Sequence, residues 1–484
     1  MNWADLNLMP ALPEIFMVLA VLVILMLDLF ISDAKRGVTY GLTMLTLAGC
    51  TVLQVATFTP YAEHTFSGMF VSDPLSSLVK IAMYVATGVV LVYSRQYIEN
   101  RGMFKGEYFT MALFALLGMN LMVSSSHFLS LYMGLELLSL SLYSLIALQR
   151  DSVSATESAM KYFVLGALAS GLLLYGISMI YGATGSLDIA TVAKAVKMHS
   201  ANELLLVFGL VFVVAGLCFK LGGVPFHMWV PDVYQGAPTA VTLMVGAAPK
   251  LAAFVFVIRI LVQGLNGLIA DWQSMLAIVA VLSMALGNIT AIAQTNIKRM
   301  LGYSTISHMG FLLLGVVAGT PDGYSSALFY AIVYVLMSMV SFGILLALSR
   351  AGFDCEKLED LKGLNSRNSW YAFLMLLSMF SMAGIPPLAG FYAKFAVIKS
   401  VVDIHLYWLA VVSVMMSLIG AFYYLRVVKH IYFDDVQDNS EIVVRADMKL
   451  VLSVNALALL VLGVVPERLV ALCVEAMKQS LTSL

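Results

Sequence analysis

Runs of about 20 consecutive apolar residues recur along the whole chain, each able to cross a hydrocarbon core of roughly 30 Å. No other feature restricts the fold as strongly. Inside hydrocarbon every backbone N–H and C=O must be satisfied within the protein, which leaves helices or a closed barrel. Runs this long and this uniformly apolar are helical. The pattern predicts an all-α polytopic membrane protein with about fourteen transmembrane helices, near 13–32, 38–58, 74–94, 107–123, 127–148, 155–182, 204–229, 240–263, 272–295, 299–318, 325–349, 370–400, 405–430 and 449–470. No basic region precedes the first run and no small-residue cleavage site follows it, so it reads as a membrane helix and not as a signal peptide.

Composition removes several classes of function. The chain is 61% hydrophobic and 11% charged, against roughly 25% charged in a soluble domain. A net charge of −1 gives no case for a nucleic-acid partner. Cys50, Cys218, Cys355 and Cys473 lie far apart, with no CxxC and no Cys/His cluster, so neither a metal site nor a disulfide framework is expected. GxGxxG and GxxxxGK[ST] are absent. No cofactor, metal or redox-catalytic residue is therefore expected in this chain.

Loop charges orient the bundle. Alternate loops hold Lys35 and Arg36; Arg95, Arg101 and Lys105; Arg150; Lys298 and Arg299; Arg350, Lys357, Lys362 and Arg367; and Lys429 and Arg445. The opposite loops hold only Lys194 and Lys197. With fourteen crossings the basic loops share the cytoplasmic side, and both termini are expected to be periplasmic.

Two segments are longer than one crossing needs and contain breakers. One is 204–229, with Gly222, Gly223 and Pro225; the other is 370–400, with Pro386 and Pro387. Each is fourth in a block of five helices, 107–263 and 272–430. Blocks with an odd number of helices insert in opposite orientations, and matched broken helices in two such halves are the signature of an inverted-repeat transporter. The expected organisation is a three-helix segment (1–106), the two five-helix repeats, and a C-terminal loop with the last helix (431–484).

Charges at mid-helix carry most of the functional information, because each is unfavourable by about 2.5–3.5 kcal/mol on insertion scales. Glu136 lies in SLYMGLELLSLSLY, Lys161 in the sixth helix, Lys220 in the broken seventh, Lys250 in GAAPKLAAF and Lys394 in AGFYAKFAV, with His308 in STISHMG. Lys161 is about six residues from its helix start, where snorkelling to the interface explains it equally well. His308 also fits a packing role. Arg259, Lys399 and Arg426 sit near helix ends and read as interfacial anchors. A structural ion pair accounts for Glu136 with Lys220 but leaves Lys250 and Lys394 without acidic partners in their own helices. Buried lysines whose proton affinity depends on their neighbours suit proton transfer. The helix breaks suit water entry beside Lys220 and Lys394, since irregular backbone at membrane depth lines a wet cavity or is buried in protein.

The motifs LYMGLELLSLSLY, FKLGGVPFHMWVPDVYQGAPT, QTNIKRMLGYSTISHMG and AGIPPLAGFYAKF resemble those of the antiporter-like membrane subunits of respiratory complex I, over nearly the whole chain. PDVYQGAPT singles out one of that family's subunit types. The resemblance implies a proton-translocating subunit of the bacterial inner membrane. It implies a Glu136–Lys220 ion pair in the first half-channel, Lys250 as central relay, Lys394 in the second half-channel, a lesser role for Lys161, and His308 on a central polar axis. NADH, FMN, iron–sulfur clusters and quinone would belong to partner subunits, among them a neighbouring antiporter-like protein. Lys220 precedes Pro225 by five residues whereas Lys394 follows Pro387 by seven, which implies different work for the two halves. Two other readings stand beside this one: a subunit of a multi-subunit cation/proton antiporter, and a structural membrane subunit without a proton path of its own.

Overall fold

The computed structural model describes residues 7–198, 202–436, 438 and 440–482. The three N-terminal long helices are α1 (Leu12–Asp28), α2 (Gly37–Ala56) and α3 (Pro74–Asn100). A two-stranded antiparallel hairpin, β1 (Glu63–Thr65) and β2 (Phe70–Ser72), leads into α3. The start of α3 is set by Asp73, whose carboxylate accepts from the Ser76 N–H while Ser76 Oγ accepts from the Asp73 N–H, with Pro74 at the first helical position. The first block then runs α4 (Gly106–Ser124), α5 (Phe128–Ile146), α6 (Val153–Thr184), α7 (Ile189–Lys197), α8 (Glu203–Leu221), α9 (Trp229–Gly236), α10 (Thr239–Gly246) and α11 (Ala248–Val257). The second comprises α12 (Ile269–Ile292), α13 (Ile297–Val317), α14 (Pro321–Leu348), α15 (Leu364–Arg367), α16 (Ser369–Ala383), α17 (Ala389–Asp403) and α18 (Tyr407–Phe433), and the chain ends with α19 (Ala446–Val464) and α20 (Glu467–Thr482).

Among the described residues, thirteen helical spans are long and apolar enough to cross a membrane. The pair α16–α17, fifteen residues each, supplies the expected fourteenth. The opening helices of each block pack at backbone distance through glycine. A Cβ on Gly118 would lie 2.5 Å from the Leu138 amide across α4–α5, and one on Gly287 would lie 2.7 Å from the Ser307 amide across α12–α13. The span 239–264 is buried throughout, and α13 and α14 nearly so. These helices form the centre, while α1, α2, α18 and α19 turn apolar faces outward.

Several elements differ from the sequence expectation. The seventh helix ends at Leu221 instead of running to 229, because Gly222 takes a left-handed conformation (φ 85°) and Pro225 supplies no N–H to continue it. The eighth is not one helix: Ala247 breaks it two residues before Pro249, and Ile258–Gly264 closes it as a π-helix. Lys194 and Lys197, exceptions in the loop-charge pattern, lie in the last turn of α7, where cations favour the helix C-terminus.

Candidate functional site

Both breaks end their first half-helix in the same way. At the end of α8, the Gly222 N–H donates to Cys218 O (2.9 Å) and Phe219 O (3.1 Å), and the Gly223 N–H to Cys218 O (2.7 Å). At the end of α16, the Gly384 N–H donates to Phe380 O and Ser381 O (both 3.0 Å), and the Ile385 N–H to Phe380 O (3.0 Å), with Gly384 at φ 86°. In each case one carbonyl is left just before the left-handed glycine, and a lysine takes it. Lys250 Nζ donates to Leu221 O at 2.9 Å, and Lys394 Nζ donates to Ala383 O at 3.1 Å. A cation at a helix C-terminus is favourable by roughly 0.3–1 kcal/mol on a surface and more when partly buried.

Lys394 makes a second bond, to Ser417 Oγ of α18 at 3.1 Å, and stands 4.9 Å from the centre of the Phe311 ring. Two hydrogen bonds to a charged group, at about 1.5–3 kcal/mol each, are of the size of the insertion penalty. Lys250 lies 5.3 Å from the Trp229 ring centre. Lys220 Nζ donates to Ser139 Oγ of α5 at 2.8 Å. The expected Glu136–Lys220 ion pair is not formed: Glu136 stands three residues from Ser139 on α5, and its Oε1 is buried without a hydrogen-bond partner. A cavity of about 20 Å³ is lined by Ser139, Lys220, Trp229 and Lys250. One water needs roughly 10–15 Å³ and two to four polar partners, so Lys220 and Lys250 are separated by a space that fits a single water.

His308 lies at the centre of a tyrosine cluster. Its Nδ1 is 2.6 Å from Tyr330 Oη of α14, its Nε2 is 3.0 Å from Tyr424 Oη of α18, and Tyr424 Oη is 2.5 Å from Ser304 Oγ. Tyr334 donates to Thr305 at 2.8 Å beside it. Both ring nitrogens thus sit in a chain of hydroxyls that can donate or accept.

Lys161 is outside this set. It is half-exposed and pairs with Glu157 (2.8 Å) and Asp232 (3.0 Å), and Asp232 also holds Arg299 (2.7 Å). Lys399 pairs with Asp403 on the surface, and Arg426 donates to Ile292 O at the end of α12 and to Gln294 O just past it. Arg259 is no interfacial anchor: it is buried and pairs with buried Asp73 at 2.8 Å, joined by Gln263 and Ser480. The tyrosines and a second buried pair, Glu14 with Lys80 at 2.5 Å, were missed from sequence. Signals existed in Tyr330 and Tyr334 one turn apart in an apolar helix, and in a lysine seven residues into the third span.

A polytopic bundle with two capped helix breaks, buried lysines and a hydroxyl-lined histidine defines the antiporter-like class of membrane subunit. The family described as NADH:quinone oxidoreductase/Mrp antiporter, transmembrane, matches residues 125–420. NADH-quinone oxidoreductase subunit N of Laribacter hongkongensis (strain HLHK9) is 64% identical over 486 residues, covering 100% of both chains. That of Neisseria gonorrhoeae (strain ATCC 700825 / FA 1090) is 54% identical over 483 residues, covering 99% of this chain and 100% of the relative. A chain of respiratory complex I from Thermus thermophilus superimposes with a TM-score of 0.82 at 28% identity, covering 95% of this chain and 98% of that one. A chain of the Mrp complex from Dietzia sp. DQ12-45-1b does so with 0.85 at 20% identity and 99% coverage of both, a likeness of fold alone. The chain belongs to the subunit N family of NADH-quinone oxidoreductase, the antiporter-like proton-translocating subunits of the complex I membrane arm.

Proposed function

We propose that protons cross this subunit along Glu136, Lys220, Lys250, His308 and Lys394, driven by NADH oxidation and quinone reduction in partner subunits that hold FMN, iron–sulfur clusters and quinone. One observation carries the reading: Lys220 and Lys250 line the same water-sized cavity, and each ammonium is bonded to a neutral oxygen, Ser139 Oγ or Leu221 O. A lysine held by neutral partners can release its proton without leaving a buried counter-charge behind. The helix breaks at Gly222, Gly223 and Pro225 and at Pro386 and Pro387 free the backbone beside Lys250 and Lys394. Lys161, paired with Asp232 on the side of the basic loops, serves proton entry to Lys220 in this scheme. The two repeats are residues 107–263 and 272–430, both termini are periplasmic, and the chain itself holds no redox centre.

Lys220→Ala and Lys394→Ala are expected to assemble into the complex and to lower proton uptake per NADH oxidised in inverted membrane vesicles. Arginine at either position is expected to do the same, since it stays protonated. Parental ratios in all four variants would leave only a structural role for these lysines. A complex purified through this chain without flavin- and iron–sulfur-bearing subunits would favour a cation/proton antiporter instead.

A further inference from the structure

Outside the two five-helix blocks, the N-terminal helices enclose an acid–base pair that the proton path above does not use. Glu14 of α1 and Lys80 of α3 are 2.5 Å apart, with side chains 6% and 0% exposed. An ion pair in this setting is unfavourable unless its remaining lone pairs and protons are satisfied, and Glu14 Oε2 has no hydrogen-bond partner. The surroundings are polar for a three-helix packing core. Tyr84, one turn beyond Lys80, accepts from Asn120 Nδ2 of α4 at 2.9 Å, and Asn120 Oδ1 is buried and unpartnered. Asn120 Nδ2 also reaches Met17 Sδ, three residues from Glu14, at 3.7 Å. Gln54 of α2 donates to Ser77 of α3 at 3.1 Å nearby, and Lys80 stands 5.0 Å from the Phe70 ring centre. On its outer side Glu14 lines a pocket of about 440 Å³ with Ile15, Phe66, Phe70 and Leu121, and the rim residues Leu19 and Met69 are exposed.

A buried pair built only to hold α1 against α3 has no need of a carboxylate at a surface pocket. Nor does it need a tyrosine–asparagine bridge to a helix of the first block. That helix, α4, presents Met122 to the cavity shared by Lys220 and Lys250, so the two polar sites flank the same helix. We propose that Glu14 and Lys80 form a further proton-exchange site, linking the first block through Asn120 and Tyr84 to the side of the membrane that bears the β1–β2 hairpin. A proton moves from Lys80 Nζ to Glu14 Oε1, leaving an amine and a carboxylic acid. The acid gives its proton to water beside the Ser125 and Ser130 hydroxyls that line the pocket, and the amine takes the Tyr84 phenol proton, which Tyr84 regains from water on the α4 side while Asn120 Nδ2 orients its Oη. One proton passes per cycle, and only N–H and O–H bonds form and break.

The proposal rests on the subunit translocating protons, and the test separates the two. Lys80→Arg keeps the ion pair but cannot give up its proton. Glu14→Gln combined with Lys80→Met removes both charges at similar volume, a change that a purely structural pair tolerates. Each is introduced into the intact complex, with proton uptake and NADH:quinone turnover measured in inverted vesicles beside Lys220→Ala. The expected result is assembled complex with a partial loss of protons taken up per NADH in both variants. Parental ratios in Lys80→Arg, with Lys220→Ala impaired, would overturn the proposal and leave the lysine path intact. Parental ratios in all variants would overturn both. If the double variant fails to assemble, Lys80→Arg alone decides.

Discussion

Lys250 and Lys394 meet one local requirement from different places in the chain. Each ammonium accepts the duty of capping a half-helix that ends on a left-handed glycine, Lys250 from the following span and Lys394 from the far half of its own. Lys220 differs, since it lies on the half-helix itself and turns to a hydroxyl on α5. Ser139→Ala is therefore expected to leave the Lys220 ammonium without its bond, a loss of about 1.5–3 kcal/mol. Assembly should be normal and proton uptake per NADH reduced; parental uptake would show that Ser139 does not position Lys220. The lysines were legible in the sequence because charges are conspicuous in apolar runs. Their partners were not, because Leu221 O and Ala383 O are backbone atoms that any residue supplies. Arg259 is obscured for a related reason: position near a helix end suggests an anchor, while its carboxylate partner, Asp73, caps a helix far away in the chain.

At the scale of elements, the breaks at GGVP and GIPP were readable from glycine and proline chemistry, but where each half-helix stops depended on capping. Gly222 and Gly384 have φ of 85° and 86°, a region that costs other residues about 1–2 kcal/mol. A Cβ on Gly222 would also lie 2.7 Å from Val230 Cγ2, and one on Gly384 would lie 3.0 Å from Lys394 Cδ. Gly222→Ala and Gly384→Ala are expected to lower the thermal-inactivation temperature of the complex, with Gly384→Ala also disturbing Lys394 and hence coupling. Unchanged inactivation would mean that the cap relaxes without strain. The division of the eighth span is marked by Pro249 but hidden in hydropathy, which continues unbroken across a kink. The short helices α7 and α20 escaped because neither is a continuous apolar run.

Across the whole molecule, one buried cluster ties three distant regions together. Asp73 at the start of α3, Arg259 and Gln263 on the π-helical turn, and Ser480 on α20 join the N-terminal helices, the central span and the chain's last helix. Arg259→Leu should strand a buried carboxylate at a cost of about 3–5 kcal/mol, seen as loss of assembled complex on native gels. Adding Asp73→Asn, which removes the charge but keeps the cap on α3, should restore much of it, and failure to do so would assign the loss to packing. The sequence by itself determined the succession of apolar spans, the two broken helices and the lysines inside them, since apolar length, helix breakers and misplaced charge are local properties. Tertiary structure alone decided which atoms those lysines bond, that Glu136 stands apart from Lys220, and that His308 meets Tyr330 and Tyr424. Those contacts join helices far apart in the chain, and in a bundle with so few polar groups each partner is chosen by helix packing, which no single run records.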